Sequence, residues 1–516
     1  MSIKSILLSG TVAGLVISMA APSFAAKRST QSQIDELRTQ MQAEINALKQ
    51  EVATLKGQQK DTQAKTAVTE QKADTAVAAV QRVTPPKGKK GVQIGAVTVT
   101  PGGFIEAAGL YRDKNMTSDI DTKFNSLTFG NSSNNHVDEN RFSARQSRLS
   151  LLATSDADSS THLAAYYEMD FLGAAGTANS NQSNSYNLRI RNIYATVDWD
   201  DLGLHLLGGQ NWSLATLSTM GITPRNEDVP LTIDPQYIVG FAWTRTPQFR
   251  ITKDLLDKTL WLAASVENPQ TTFSGTAPSG PGSLVTNLGG NLFDANTAYS
   301  IDAAPDILVK AAWEPGFGHY EVYGIASFER DRVNFKNRTN VVGGIGAGMI
   351  LPVIPKQLEF QLSGLLGQGI GRYGSSQLPD ATFGADGSIH PLTGYSLLAG
   401  LIGHPNPALD VYGYAGIEHA DRWYQNSGTS HFGYGNPEFV NSGCHTEGSP
   451  LACTANTRDI MEVTAGFWWK FYQGDFGSAR WGTQYAYVAR NVWGGVGGGG
   501  TADNNIVETS FRFYPF

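Results

Sequence analysis

The sequence predicts an all-β transmembrane barrel of about 16 antiparallel strands, preceded by an N-terminal α-helical coiled coil. Three observations carry that expectation. Hydrophobicity alternates with period two beyond residue 91, a helical seam precedes it, and the chain closes on an aromatic tail, Phe511-Arg512-Phe513-Tyr514-Pro515-Phe516.

At the N-terminus, Lys4 precedes an apolar run over residues 6–21, and Ser23 and Ala25 supply the small residues before a cut ahead of Ala26. This is the layout of a cleavable signal peptide over 1–25. No later run reaches the roughly 18 to 20 uninterrupted apolar residues of a spanning helix. The chain therefore reads as exported. Residues 26–83 carry the helix: Ile34, Leu37, Met41, Ile45, Leu48, Val52 and Leu55 are spaced 3, 4, 4, 3, 4 and 3 apart. That is a coiled-coil seam with one stutter, and Glu, Gln, Lys and Arg fill the faces between. A lone amphipathic helix packed on a domain is the other reading of the same periodicity, but no soluble domain is evident for it. A weaker Ala/Val pattern continues to Val80, and Pro85 and Pro86 end it. Residues 84–91, with three lysines, read as a basic linker.

The barrel domain is expected over 92–516. Within it, Leu358, Phe360 and Leu362 alternate with Glu359, Gln361 and Ser363, and Met461, Val463, Ala465 and Phe467 alternate with Glu462, Thr464 and Gly466. One face is apolar and the other wet. Strands are expected near 98–110, 144–154, 161–171, 187–199, 202–211, 239–252, 259–268, 305–315, 318–329, 340–353, 357–367, 391–402, 409–419, 458–471, 479–491 and 503–516. Every second connection is short, and the others are mostly long and rich in Gly, Ser, Thr and Asn. A soluble sandwich does not segregate its loops in this way, whereas a barrel in a membrane does.

Composition agrees. Charged residues make up 16% of the 516, aromatics 10%, and glycines number 56. A net charge of −7 with no basic block argues against nucleic acid as a partner. Cys444 and Cys453, the only cysteines, read as a disulfide pinning one polar loop of an exported chain. Zinc is not expected there, because His445 and the two thiols fall short of four ligands. No G-x-S-x-G elbow, H-E-x-x-H pair or phosphate-cradling glycine loop occurs. Neither an enzyme nor a cofactor or metal is therefore expected.

Sixteen strands enclose a lumen too wide for side chains to fill, so water is expected inside. With this strand rhythm, the long connection after the fifth strand and the terminal Phe516, residues 92–516 resemble the general porin superfamily of Gram-negative bacteria. The resemblance implies that the segment 212–238 folds into the lumen and narrows it. Its carboxylates Glu227, Asp228 and Asp234, stiffened by Pro224, Pro230 and Pro235, would form a negative edge. Arg148, Arg189 and Arg191 would face it from early strands, with Arg145 and Arg250 nearby, giving a transverse field. The alternative is that these arginines only pair with Glu168, Asp170 and other lumen acids.

Phe516 also resembles the insertion signal read by the barrel-assembly machinery, although Pro515 breaks the alternation of the last strand. The N-terminal seam is similar to that of a subgroup of coiled-coil-bearing porins. The expected function is thus a diffusion porin for small hydrophilic solutes and ions, embedded in outer-membrane lipid as a homo-oligomer, a trimer, with its coiled coil in the periplasm. Two alternatives remain: a tether acting on the cell wall through the coiled coil, and a channel specific for anions or sugars. If the count of sixteen holds, the strand carrying Phe511 and Phe513 pairs with the strand at 104–110.

Overall fold

A computed structural model describes residues 38, 39, 42, 46, 49, 50, 91–173, 187–234, 237–290 and 294–516. The chain divides into two units, Met1–Thr84 and Pro85–Phe516. In the first, the described residues are helical. The seam positions Ile34, Leu37, Met41, Ile45, Leu48, Val52 and Leu55 lie outside the described residues, as do the expected signal peptide and most of the linker.

The second unit is a closed, antiparallel barrel of 16 strands. They are β1 (Val97–Arg112), β2 (in two segments, Glu139–Ser143 and Arg148–Asp156), β3 (Thr161–Gly173), β4 (Asn187–Trp199), β5 (Leu204–Trp212), β6 (Arg245–Leu255), β7 (Leu260–Glu267), β8 (Asp306–Trp313), β9 (His319–Val333), β10 (Lys336–Ile354), β11 (Leu358–Gln368), β12 (Thr393–Asn406), β13 (Leu409–Ala420), β14 (Thr457–Gly474), β15 (Gly477–Val492) and β16 (Thr501–Tyr514). Each pairs with its neighbour in sequence, and β16 returns to β1 with Ala107 opposite Phe511 and Ile105 opposite Phe513. All the expected strands are present, and the first and last meet where the sequence places them.

The strand alternation turns the usual protein inside out. On β9 Glu321 is 3% exposed while its neighbour Val322 is 59% exposed, and on β14 Glu462 is 5% exposed beside Val463 at 59%. An apolar outer face and a polar inner one are stable only where lipid covers the outside. Trp313, Phe317 and Tyr320 cluster at the short-turn end of β8 and β9, with ring centroids 5.6–5.9 Å apart, as an interface girdle requires. No helix among the described residues is long and apolar enough to cross a membrane.

The structure departs from the expected pattern in three places. In β2, residues 144–147 form a turn closed by Ser147 N donating to Ala144 O at 3.1 Å. That break shifts the phase, so Arg145 and Arg148, three positions apart, both face inward. Between β9 and β10 the expected loop is a two-residue turn at Asn334 and Phe335, both with positive φ, 48° and 65°. It extends the two strands into a long hairpin.

The largest departure concerns the lumen, which long loops fill in part. The β1–β2 connection brings Met116, Ile120, Phe124 and Leu127 inward, where they pack against Ile460, Val488 and Ile506 of β14, β15 and β16. The β5–β6 connection folds inward as the sequence leads one to expect of 212–238, and it sends Ile233, Ile238 and Phe241 against Leu398, Tyr412 and Trp468. Apolar loop residues remove from water the space that bare strands would leave open. The open space of the lumen is thereby reduced to gaps between these loops and the wall.

Candidate functional site

The alternation of β1, β2, β15 and β16 brings Phe104, Arg148, Arg480, Arg512 and Tyr514 onto one stretch of the inner wall. Residues 229–232 of the β5–β6 connection face them across a cavity of about 330 Å³. The three guanidiniums lie over aromatic rings. Arg148 is 5.3 Å from the Phe104 centroid, Arg512 is 4.7 Å from Phe104 and 4.6 Å from Trp468, and Arg480 is 4.2 Å from Trp468 and 4.7 Å from Tyr514. Cation–π contact holds the planes of the guanidiniums and leaves their N–H edges able to donate. Arg512 Nε donates to Glu106 Oε1 at 2.9 Å. Arg148 approaches Glu168 only to 3.8 Å. The buried Nε atoms of Arg148 and Arg480 have no hydrogen-bond partner among the described residues. Three arginines against the two carboxylates leave the wall electropositive, and a narrow gap in low-dielectric walls focuses that field.

Arg189 and Arg191 are not in the cavity lining, although Glu168, which Arg191 holds, borders it. Arg189 grips Asp170 through two bonds, of 3.0 and 2.6 Å. Arg191, 1% exposed, donates to Glu168 at 2.7 Å and Asp170 at 3.1 Å. The register places Asp170 opposite Arg189 on β3 and β4, so this is a cross-strand ion network of the wall. Arg145 pairs with Asp119 of the β1–β2 connection. Arg250 donates to Gln248 at 3.0 Å and to the Trp212 carbonyl at 2.6 Å.

The three loop carboxylates do not border the cavity. Glu227 accepts from Asn211 Nδ2 at 2.9 Å, and Asp228 accepts from Gln361 Nε2 on β11 at 3.0 Å. Asp234 is 4% exposed. What the loop presents to the arginines is Val229, Pro230, Leu231 and Thr232.

Hydrogen bonds between its backbone and side chains of β13–β16 fix that segment to the wall. Leu231 N donates to Tyr414 Oη at 3.1 Å, Trp468 Nε1 donates to Leu231 O at 2.7 Å, and Ile233 N donates to Gln484 Oε1 at 2.8 Å. Arg512 also donates to the Ile233 carbonyl. Further on, Val239 N donates to Glu462 at 2.9 Å and Gly240 N to Glu418 at 2.8 Å. The wall thus satisfies the amides that an inserted loop would otherwise bury unpaired.

Toward the long-loop end, Cys444 and Cys453 form a disulfide, and Cys444 is buried in the loop core. There the Ser388 hydroxyl and amide, with Arg338, hold the Asp386 carboxyl below its ordinary range. Phe516 lies beyond the end of β16 and is 64% exposed, while Tyr514 turns inward, 5.3 Å from the Phe104 ring. Among the described residues no three His, Cys, Asp or Glu side chains converge as metal ligands.

Arg480 and Arg512 were not singled out by the sequence reading. The signal was present: both share the phase of Gln484 and Glu508, the wet positions of β15 and β16.

No protein-family model and no curated protein sequence matches the chain. Solved structures do. The outer membrane channel DcaP of Acinetobacter baumannii is similar with a TM-score of 0.59 at 15% identity, over 83% of this chain and 100% of that one. The anion-selective porin from Comamonas acidovorans aligns at 0.44 and 11% identity, over 81% of this chain and 99% of that one. Pseudomonas putida OprB aligns at 0.45 and 10%, over 80% and 94%. The first of these likenesses carries the fold.

Proposed function

With the porin fold as premise, we propose that this chain is an outer-membrane porin, a channel for passive diffusion of small hydrophilic solutes and ions that favours anions. The observation behind this reading is the cavity between residues 229–232 and the aromatic-backed arginines Arg148, Arg480 and Arg512. A solute leaving bulk water for this gap loses hydration, and guanidinium N–H groups replace part of it for an anion but not for a cation. Polar groups line one side and apolar loop residues the other, so passage does not require tight binding.

A signal peptide over 1–25 delivers the chain to the periplasm, and the barrel-assembly machinery inserts it with Phe516 as the signal. The seam from Ile34 to Leu55 joins copies into a homotrimer through a periplasmic coiled coil. Seven apolar positions at coiled-coil spacing support that role. A tether to the cell wall has no further observation in its favour.

Swelling of liposomes that contain the purified full chain tests the diffusion reading. Uptake rates of small carboxylates should exceed those of neutral solutes of equal size, and those of small cations should be lowest. Liposomes that stay impermeable to all three, with folded protein inserted, would refute a pore.

A further inference from the structure

Asp234 occupies an environment that the narrowing of the lumen does not explain. It is 4% exposed, and neither of its carboxylate oxygens has a hydrogen-bond partner among the described residues. Glu508 of β16, Asp121 of the β1–β2 connection and Glu106 of β1 are the acids that face it, and Arg189 of β4 is the opposing cation. Glu106 and Glu508 are each 2% exposed, and Glu106 Oε2 and Asn504 Oδ1 also lack partners among the described residues.

Nearby cations are engaged elsewhere. Arg512 is bonded to Glu106, Arg112 to Glu139 at 2.9 Å, Arg145 to Asp119, and Arg189 to Asp170. An ionised carboxylate without donors, buried among other carboxylates, is strongly disfavoured. The packed arrangement is therefore that of a protonated Asp234.

The same segment forms one side of the cavity. Residues 229–232 face the arginines, and the contacts of Leu231 and Ile233 to Tyr414, Trp468, Gln484 and Arg512 seat it on the wall immediately before Asp234.

Resting on the porin reading above, we propose that Asp234 is a proton-sensitive latch on the 229–234 segment. With the proton bound, the segment stays seated on β13–β16 and the passage is narrow. When the proton leaves, repulsion from Glu508, Glu106 and Asp121, together with the loss of water around the new charge, unseats the segment and widens the passage. The protonated form is the seated one, so the latch holds at low pH and is lost as pH rises.

Single-channel conductance of the full chain in planar lipid bilayers, measured from about pH 5 to about pH 8, tests this. Wild-type conductance should rise by about twofold or more across that range, and Asp234→Asn, which keeps the shape and cannot ionise, should stay at the acid value throughout. Glu508→Gln removes the first repelling charge and should move the step to lower pH. A step that Asp234→Asn retains overturns the proposal, and so does a wild-type conductance that is flat or falls with pH. If Asp234→Asn does not fold, an unmoved step in Glu508→Gln overturns it. Absence of any conducting step at every pH is a separate outcome that defeats the pore itself.

Discussion

Arg512 Nε on the last strand donates to Glu106 Oε1 on the first at 2.9 Å, and the two side chains are only 5% and 0% exposed. This ion pair joins the chain's ends across the barrel's closing seam and also orients a guanidinium at the cavity. Ser510 Oγ reinforces it by donating to the same Glu106 oxygen at 2.5 Å.

Removing one partner of a buried pair strands the other. Glu106→Ala should destabilise the barrel by about 3 to 5 kcal/mol, because Arg512 would keep its charge without its carboxylate. The temperature at which the folded, fast-migrating band disappears on electrophoresis should fall. Glu106→Gln, which can still accept from Arg512, should lose less.

Arginines that border the cavity and arginines that brace the wall should respond differently to substitution. Arg480→Glu, alone or with Arg148→Glu, should move the reversal potential toward cations while the barrel stays folded. Arg191→Glu places a third acid beside Glu168 and Asp170 and should lower thermal stability. If Arg191→Glu shifted selectivity as much as Arg480→Glu with no loss of stability, the division of roles would be wrong.

The seating of the inserted loop depends on side-chain acceptors. Gln484 accepts from Ile233 N at 2.8 Å and from Tyr412 Oη at 3.0 Å. Gln484→Leu leaves both donors buried and unpaired, a cost of about 1 to 3 kcal/mol for each. Loosening of the loop should appear as larger and noisier conductance steps already at the acid end of the pH range.

The disulfide should matter to its loop and not to the pore. Closing the short loop between Cys444 and Cys453, 9 residues apart, removes about 3 kcal/mol of loop entropy from the open chain. The double variant Cys444→Ser, Cys453→Ser should be cut faster by protease between those positions. Its conductance should match wild type.

Much of the fold was legible because a strand of period two exposes its pattern residue by residue. Leu358 to Ser363 shows its two faces without any tertiary information, and Phe511 and Phe513 identified the strand that closes the barrel. The turn at Asn334 and Phe335 was hidden, since a Phe at φ of 65° is not the residue such a turn favours. Loop filling was hidden for a different reason. Met116, Ile120, Phe124 and Leu127 lie among polar neighbours at helical spacings of 4, 4 and 3, yet the segment is irregular apart from a short 3-10 turn at Phe124–Ser126, and only the wall they meet makes a core of them. The cavity's arginines divide in the same way. Arg148 was visible on an early strand, while Arg480 and Arg512 are distant in sequence and near it only through closure of the barrel.

The most direct measurement is the zero-current potential of single wild-type channels in a planar bilayer under a potassium chloride gradient. Discrete conducting steps with a reversal potential on the chloride side are expected, since Arg148, Arg480 and Arg512 border the cavity. Folded protein that gives no steps, or steps that reverse on the potassium side, would contradict the account.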